Sequence, residues 1–121
     1  MNFYPLFQLW PLILGLLPQP AAIRLEPESV VVTDTARYVS LHVRLVNETD
    51  SAVFIEKLHP SCGCVLANVQ KNKATKEHPG DIYVSVSLER MDTLQPVVID
   101  VFTNNPTAPH LKFSLLKQSK P

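Results

Sequence analysis

An all-β sandwich of two sheets is the fold class this sequence predicts, and three observations predict it. Apolar and polar residues alternate at period two in several short runs, as they do when one face of a sheet meets a core and the other meets water. Turn-forming clusters rich in Pro, Gly, Asn, Asp and Ser separate those runs. No run carries apolar residues at helical spacing, and eleven prolines in 121 residues disfavour helices further. With 45% hydrophobic and 18% charged residues, the chain suits one small domain, residues 23–121, behind a leader, residues 1–22.

The leader, MNFYPLFQLWPLILGLLPQPAA, has no charged side chain, and its apolar stretch at residues 9–17 runs into prolines and ends on Ala21 and Ala22. That is the pattern of a secretory signal peptide, although the usual amino-terminal Lys or Arg is missing and Pro20 sits poorly before a cut at Ala22. An uncleaved membrane anchor is the competing reading. A spanning helix needs about 20 apolar residues, and Pro5, Pro11, Pro18 and Pro20 interrupt any such run. Export with cleavage, to the periplasm or beyond the cell, is therefore expected. No cysteine lies near the junction, so a lipid-modified cysteine at the mature terminus is not available.

The domain opens on a short extended piece, Ile23–Glu26, which suits an edge strand, and on the β-branched run Ser29–Thr33. Leu41, Val43 and Leu45 then alternate with His42, Arg44 and Val46. The polar turn NETDS, residues 47–51, leads into a further β-branched run at residues 52–58. HPGD, residues 78–81, places Pro79 and Gly80 where a type II turn takes a fixed negative φ and then a positive one. Ile82, Val84, Val86 and Leu88 follow, separated by Tyr83, Ser85 and Ser87, and residues 96–103 form another apolar run. After the loop TNNPTAP comes the last alternation, Leu111, Phe113 and Leu115 with Lys112 and Ser114 between them. About seven strands in a domain of this length point to a sandwich of the immunoglobulin type.

The antibody form of that sandwich bridges its sheets with a distant cysteine pair around a buried tryptophan. Here both cysteines fall in one loop and the sole tryptophan, Trp10, in the leader, so the core is expected to be aliphatic with Phe54, Phe102 and Phe113 as large fillers.

Eleven basic residues balance eleven acidic ones. Nucleic-acid binding needs clustered cations to displace counterions from phosphates, and polybasic attraction to a membrane surface needs the same, so neither is expected. The one basic cluster, Lys71, Lys73 and Lys76, includes Glu77 and reads as a solvated loop. A phosphate-cradling glycine loop, a Gly-x-Ser-x-Gly elbow and a His-Glu-x-x-His helix are all absent. A nucleophilic Cys62 activated by His59 lacks any identifiable orienting group or oxyanion hole. Asn47-Glu48-Thr49 fits an N-glycosylation acceptor and reads as idle.

The singular stretch is HPSCGCV, residues 59–65, which holds both cysteines one residue apart. In a flat strand two such residues lie ~6.6 Å apart at Cα with Cβ vectors unsuited to a bridge. Gly63 offers a tight turn that brings the sulfurs together. Three readings stay open. The pair reads as a local disulfide or two packed thiols fixing the loop, as two thiolates that with His59 hold Cu(I), or as a thiol-exchange site whose small ring makes the bridge reducible. Zinc is less suited, since four ligands would require His59 and His78 to converge on Cys62 and Cys64. His42, His78 and His110 read as surface histidines.

SCGCV after an apolar strand, then HPGDIYVSVSL, then VVIDVFTNNPTAPHLKFSLL resembles the bacterial family catalogued as domain of unknown function 1573, over residues 37–116. Val65 stands where threonine is usual there and Asn105 where aspartate is usual, and the glycine often found before the penultimate strand is absent near Leu94 and Gln95. The resemblance implies an immunoglobulin-like sandwich, similar to those of ciliary and centrosomal proteins, in a commonly exported protein, and it implies no activity. The expectation is thus an exported, non-enzymatic binding or structural module of the cell envelope, whose partner is a protein or another envelope component. Its contact surface would be the loop bearing His59, Ser61, Cys62, Gly63 and Cys64, with the turn at residues 78–81 beside it. The alternative is periplasmic copper binding or thiol redox chemistry at Cys62 and Cys64.

Overall fold

A computed structural model describes residues 21–33, 37–91 and 95–118. All but Ala21 and Ala22 of the expected leader lies outside them, as does Leu94. The described residues form nine strands and no helix: β1 (Ile23–Glu26), β2 (Ser29–Thr33), β3 (Tyr38–Asn47), β4 (Val53–Pro60), β5 (Val65–Lys71), β6 (Lys73–Ala74), β7 (Gly80–Ser87), β8 (Val97–Thr103) and β9 (His110–Gln118). Accordingly, no helix among the described residues is long and apolar enough to cross a membrane.

One sheet runs β1-β3-β7-β5 and the other β2-β9-β8-β4-β6. With β1 and β2 counted as two halves of strand A, and β3, β4, β5, β7, β8 and β9 as B to G, the sheets are ABED and AGFC. That is immunoglobulin topology. The first strand changes sheets at Glu26-Pro27, so that β1 pairs antiparallel with β3 and β2 pairs parallel with β9. β6 adds a short fringe to β4.

The alternation read from the sequence is the alternation of burial. Ile82, Val84, Val86 and Leu88 are buried from the first sheet, and Val97, Ile99 and Val101 from the second, with Ile23, Leu25, Val43, Leu45, Val53, Ile55, Cys64, Ala74, Met91, Phe113 and Leu115 completing the core. The run at residues 52–58 alternates poorly for a reason the structure makes plain. A β-bulge between Ile55 and Lys57 gives β4 one extra residue against β8, which moves the inward positions from Val53 and Ile55 to Leu58 and Pro60.

Four expectations need correction. β5 and β6 were not anticipated. They occupy a sheet edge where most side chains are exposed, so no alternation marks them, and Lys71 and Lys73 belong to strands rather than to a loop. Of the three phenylalanines, only Phe113 is buried. Phe54 points outward on β4, and Phe102 stacks on the outward His110 ring at 4.7 Å. The Pro79-Gly80 pair makes no type II turn, because no glycine among the described residues has a positive φ. The reversal lies earlier, where Thr75 N–H donates to His78 O (2.8 Å) and His78 N–H to Thr75 Oγ1 (3.1 Å).

Gly80 is instead a close-approach glycine. It opens β7, buried, and a Cβ there would stand 3.2 Å from Leu45 Cβ, 3.2 Å from the Lys71 carbonyl oxygen and 3.4 Å from Ile55 Cδ1. Since a backbone oxygen cannot simply rotate away, Gly80→Ala is expected to cost about 1–3 kcal/mol. Gly63→Ala, whose Cβ would meet only the Arg90 guanidinium at 3.7 Å, should stay within about 0.5 kcal/mol of the parent. Urea unfolding of both variants checks the contrast, and equal midpoints would contradict it.

Candidate functional site

Residues 61–64 are the corner at which the chain leaves one sheet for the other. β4 ends at Pro60, paired with Ile99 in the second sheet, and β5 begins at Val65, paired with Val86 in the first. Each sheet grips the corner. Ser61 N–H donates to Val98 O (2.8 Å) while Val98 N–H donates to Ser61 Oγ (2.9 Å), so a hydroxyl extends the β4–β8 ladder by one rung. On the other side, Ser87 N–H donates to Cys64 O (2.9 Å) and Val65 N–H to Cys62 O (3.3 Å).

Within the corner Cys62 and Cys64 form a disulfide, with Cα atoms 5.1 Å apart. The turn brings them closer than a flat strand would, from the upper edge of the bridging range to well inside it. It does so without a left-handed glycine, so the conformational freedom expected of Gly63 is not what closes the bridge. The two sulfurs are not equivalent. Cys64 is only 4% exposed and belongs to the apolar core, whereas Cys62 is half-buried at the rim. The expectation of two cysteines presented together at the surface is thus corrected for Cys64: it sits in the crossover just ahead of β5, outside that strand's alternation, and the turn carries its side chain into the core. Cys64 N–H donates to Cys62 Sγ at 3.0 Å. Cys62 opens on a hollow of about 220 Å³ lined with Ser61, Arg90, Gln95, Pro96 and Val97.

His59 lies exposed on β4 opposite Asp100 and does not join the cysteines as a third ligand. Among the described residues no three His, Cys, Asp or Glu side chains gather so as to hold a metal ion. The turn at residues 78–81 is not beside the corner. It leads into β7 and includes its first residue, Gly80, whereas the corner bonds to the end of that strand at Ser87, seven residues and about 23 Å from Gly80. His42 and His110 face outward, with Asp81 at 3.1 Å and Asp100 at 2.7 Å. Arg90, which stands over Gly63, escaped the sequence reading because it follows a strand in an ordinary charged turn. Its place follows only from β5: antiparallel pairing puts the end of β7 beside the start of β5.

The fold and site define an immunoglobulin-like β-sandwich whose sheet-to-sheet corner is closed by a Cys-x-Cys disulfide. Residues 30–115 match the family described as "Protein of unknown function (DUF1573)". That is more than half of the chain, and the chain belongs to this family. Comparison with curated proteins returns no match. Among solved structures, the chain is similar to a protein of unknown function from Porphyromonas gingivalis W83, with a TM-score of 0.67 at 10% identity over 86% of this chain and 50% of that one. It therefore spans about half the length of that protein, and the likeness is one of fold. The BIgI domain of beta protein from S. agalactiae, solved bound to CEACAM1, aligns with a TM-score of 0.42 at 12% identity over 82% of this chain and 97% of that one.

Proposed function

We propose that the chain is an exported binding module of the cell envelope that meets a protein partner at the corner of residues 61–64. The observation that carries this reading is the double anchoring of that corner. Main-chain bonds to Val98 in one sheet and Ser87 in the other hold exposed Ser61 and Gly63 in a fixed arrangement at the rim. A loop fixed by a rigid scaffold loses little conformational entropy on binding, which is why recognition concentrates on such loops. Export is supported by the leader pattern of residues 1–22 and by the disulfide, a bond that persists in oxidising compartments. Only the end of the sandwich carrying the corner belongs to this surface, and the opposite end at residues 75–80 serves as a control.

A photo-crosslinking residue placed at Gln95, on the rim of the Cys62 hollow, is expected to trap one discrete protein adduct in intact cells. The same residue at Lys76, exposed at the far end, should trap none. Equal adducts from both positions, or none from Gln95, would overturn the assignment.

A further inference from the structure

We infer that the Cys62–Cys64 bridge is a thiol-exchange site attacked at Cys62, and that its partner presents a dithiol. The inference rests on the reading of the corner as the contact surface and names the chemistry that would meet there.

Unequal burial selects the sulfur. Cys64 is enclosed by the core, while Cys62 faces the hollow formed with Ser61, Arg90, Gln95, Pro96 and Val97, so an incoming thiolate reaches only Cys62. Its attack on Cys62 Sγ forms a mixed disulfide and breaks the Cys62–Cys64 bond. The electron pair leaves on Cys64 Sγ, which takes up a proton in its apolar surroundings. The partner's second thiol, as thiolate, then attacks the partner's own sulfur in the mixed disulfide and releases Cys62 as a thiolate. Two electrons pass: the partner's dithiol becomes a disulfide, and Cys62 and Cys64 become thiols.

Two groups favour the charge left on Cys62. The Cys64 N–H already points at Cys62 Sγ from 3.0 Å, and the Arg90 guanidinium borders the same hollow. Donors and cations of this kind lower a thiol's pKa and raise its thiolate fraction at neutral pH. The corner does not depend on the bridge for its shape. The Ser61–Val98 pair and the Ser87–Cys64 bond involve main chain and a hydroxyl, not sulfur. A bridge over one intervening residue also closes too short a loop to constrain the unfolded chain much. Reduction therefore leaves the site formed and ready for the reverse reaction.

The test uses small thiol reagents, so it stands apart from the crosslinking of a partner. Oxidised full-length protein is exposed to reduced glutathione at neutral pH, quenched in acid, and mapped by peptide mass spectrometry. A glutathione adduct on Cys62 is expected; an adduct on Cys64, or a native bridge that neither glutathione nor dithiothreitol opens, overturns the inference. With an aromatic disulfide reagent, Cys64→Ala is expected to react at least about tenfold faster than Cys62→Ala, and adding Arg90→Gln to Cys64→Ala should slow it roughly threefold or more. Equal rates for the two single variants would also overturn it. Circular dichroism on each variant identifies any that fails to fold, in which case the adduct map on the parent protein decides.

Discussion

Asn47→Ala is expected to lower the unfolding free energy by about 2–4 kcal/mol, since each buried polar group left without a partner costs roughly 1–3 kcal/mol. Asn47 is 2% exposed, and its whole amide is spoken for. Nδ2 donates to Ser51 O (2.7 Å) and to Ala74 O (2.9 Å), while Oδ1 accepts from Thr49 N–H (2.9 Å) and Thr49 Oγ1–H (2.6 Å). One side chain thus closes the β3–β4 turn and ties it to β6 on the other sheet. Asn47→Asp separates the two halves of that network. It keeps the acceptor for Thr49 but turns a carboxylate toward two carbonyl oxygens, which raises its folded pKa above the unfolded value of about 3.9. The sign follows from proton counting. Between the two pKa values the folded state holds the extra proton, so stability falls as pH rises through that window and stays low above it. Urea unfolding at pH 4 and pH 7 checks this. An Asp variant as stable at pH 7 as at pH 4 would contradict it. The amide of the Asn-Glu-Thr triplet is thus inside the fold.

The strands that bury one face were legible because their sequence carries the period of the sheet. Ile82, Val84, Val86 and Leu88 need only the pleat to be assigned inward. The run at residues 97–103 was less clear because Val98 and Phe102 are apolar on the outward side, where Phe102 is covered by His110 and by Lys57 with Nζ 6.0 Å from its ring. β5 was illegible for the opposite reason. At an edge, with Leu66 61% exposed, neither face is strictly apolar or polar. Missing β5 hid the rest of the corner, since that strand carries the Cys64 side of the motif to the end of β7 and so to Arg90. Ser61 and the cysteines could be singled out by type and spacing. Their unequal burial is a property of the crossover between sheets, which no local pattern encodes. Asn105 shows how far local chemistry does reach: its Oδ1 accepts from Thr107 N–H (2.9 Å), Thr107 Oγ1–H (2.6 Å) and Ala108 N–H (3.1 Å), all within the loop already read as a turn.

Phe113→Ala is expected to cost about 3–5 kcal/mol, and Phe54→Ala only about 1 kcal/mol. In the sequence the two residues look alike, each a phenylalanine in an apolar run. Register separates them. Phe113 pairs with Ile99 on the inner face of the second sheet and is 1% exposed, the largest of the fully buried side chains. Phe54 sits between the inward Val53 and Ile55 and therefore points to water, 36% exposed. Truncating Phe113 removes apolar surface that was wholly desolvated and leaves a void that neighbours anchored in two sheets cannot close, so transfer and cavity costs add. Truncating Phe54 opens no cavity. For a domain of this size, marginally stable by 5–15 kcal/mol, the first loss approaches the whole margin at its lower end. Thermal unfolding of the two variants beside the parent measures the difference directly. If both shift the midpoint equally, the inward register of β9 against β8 is wrong, and with it the placement of the corner that β8 holds through Val98.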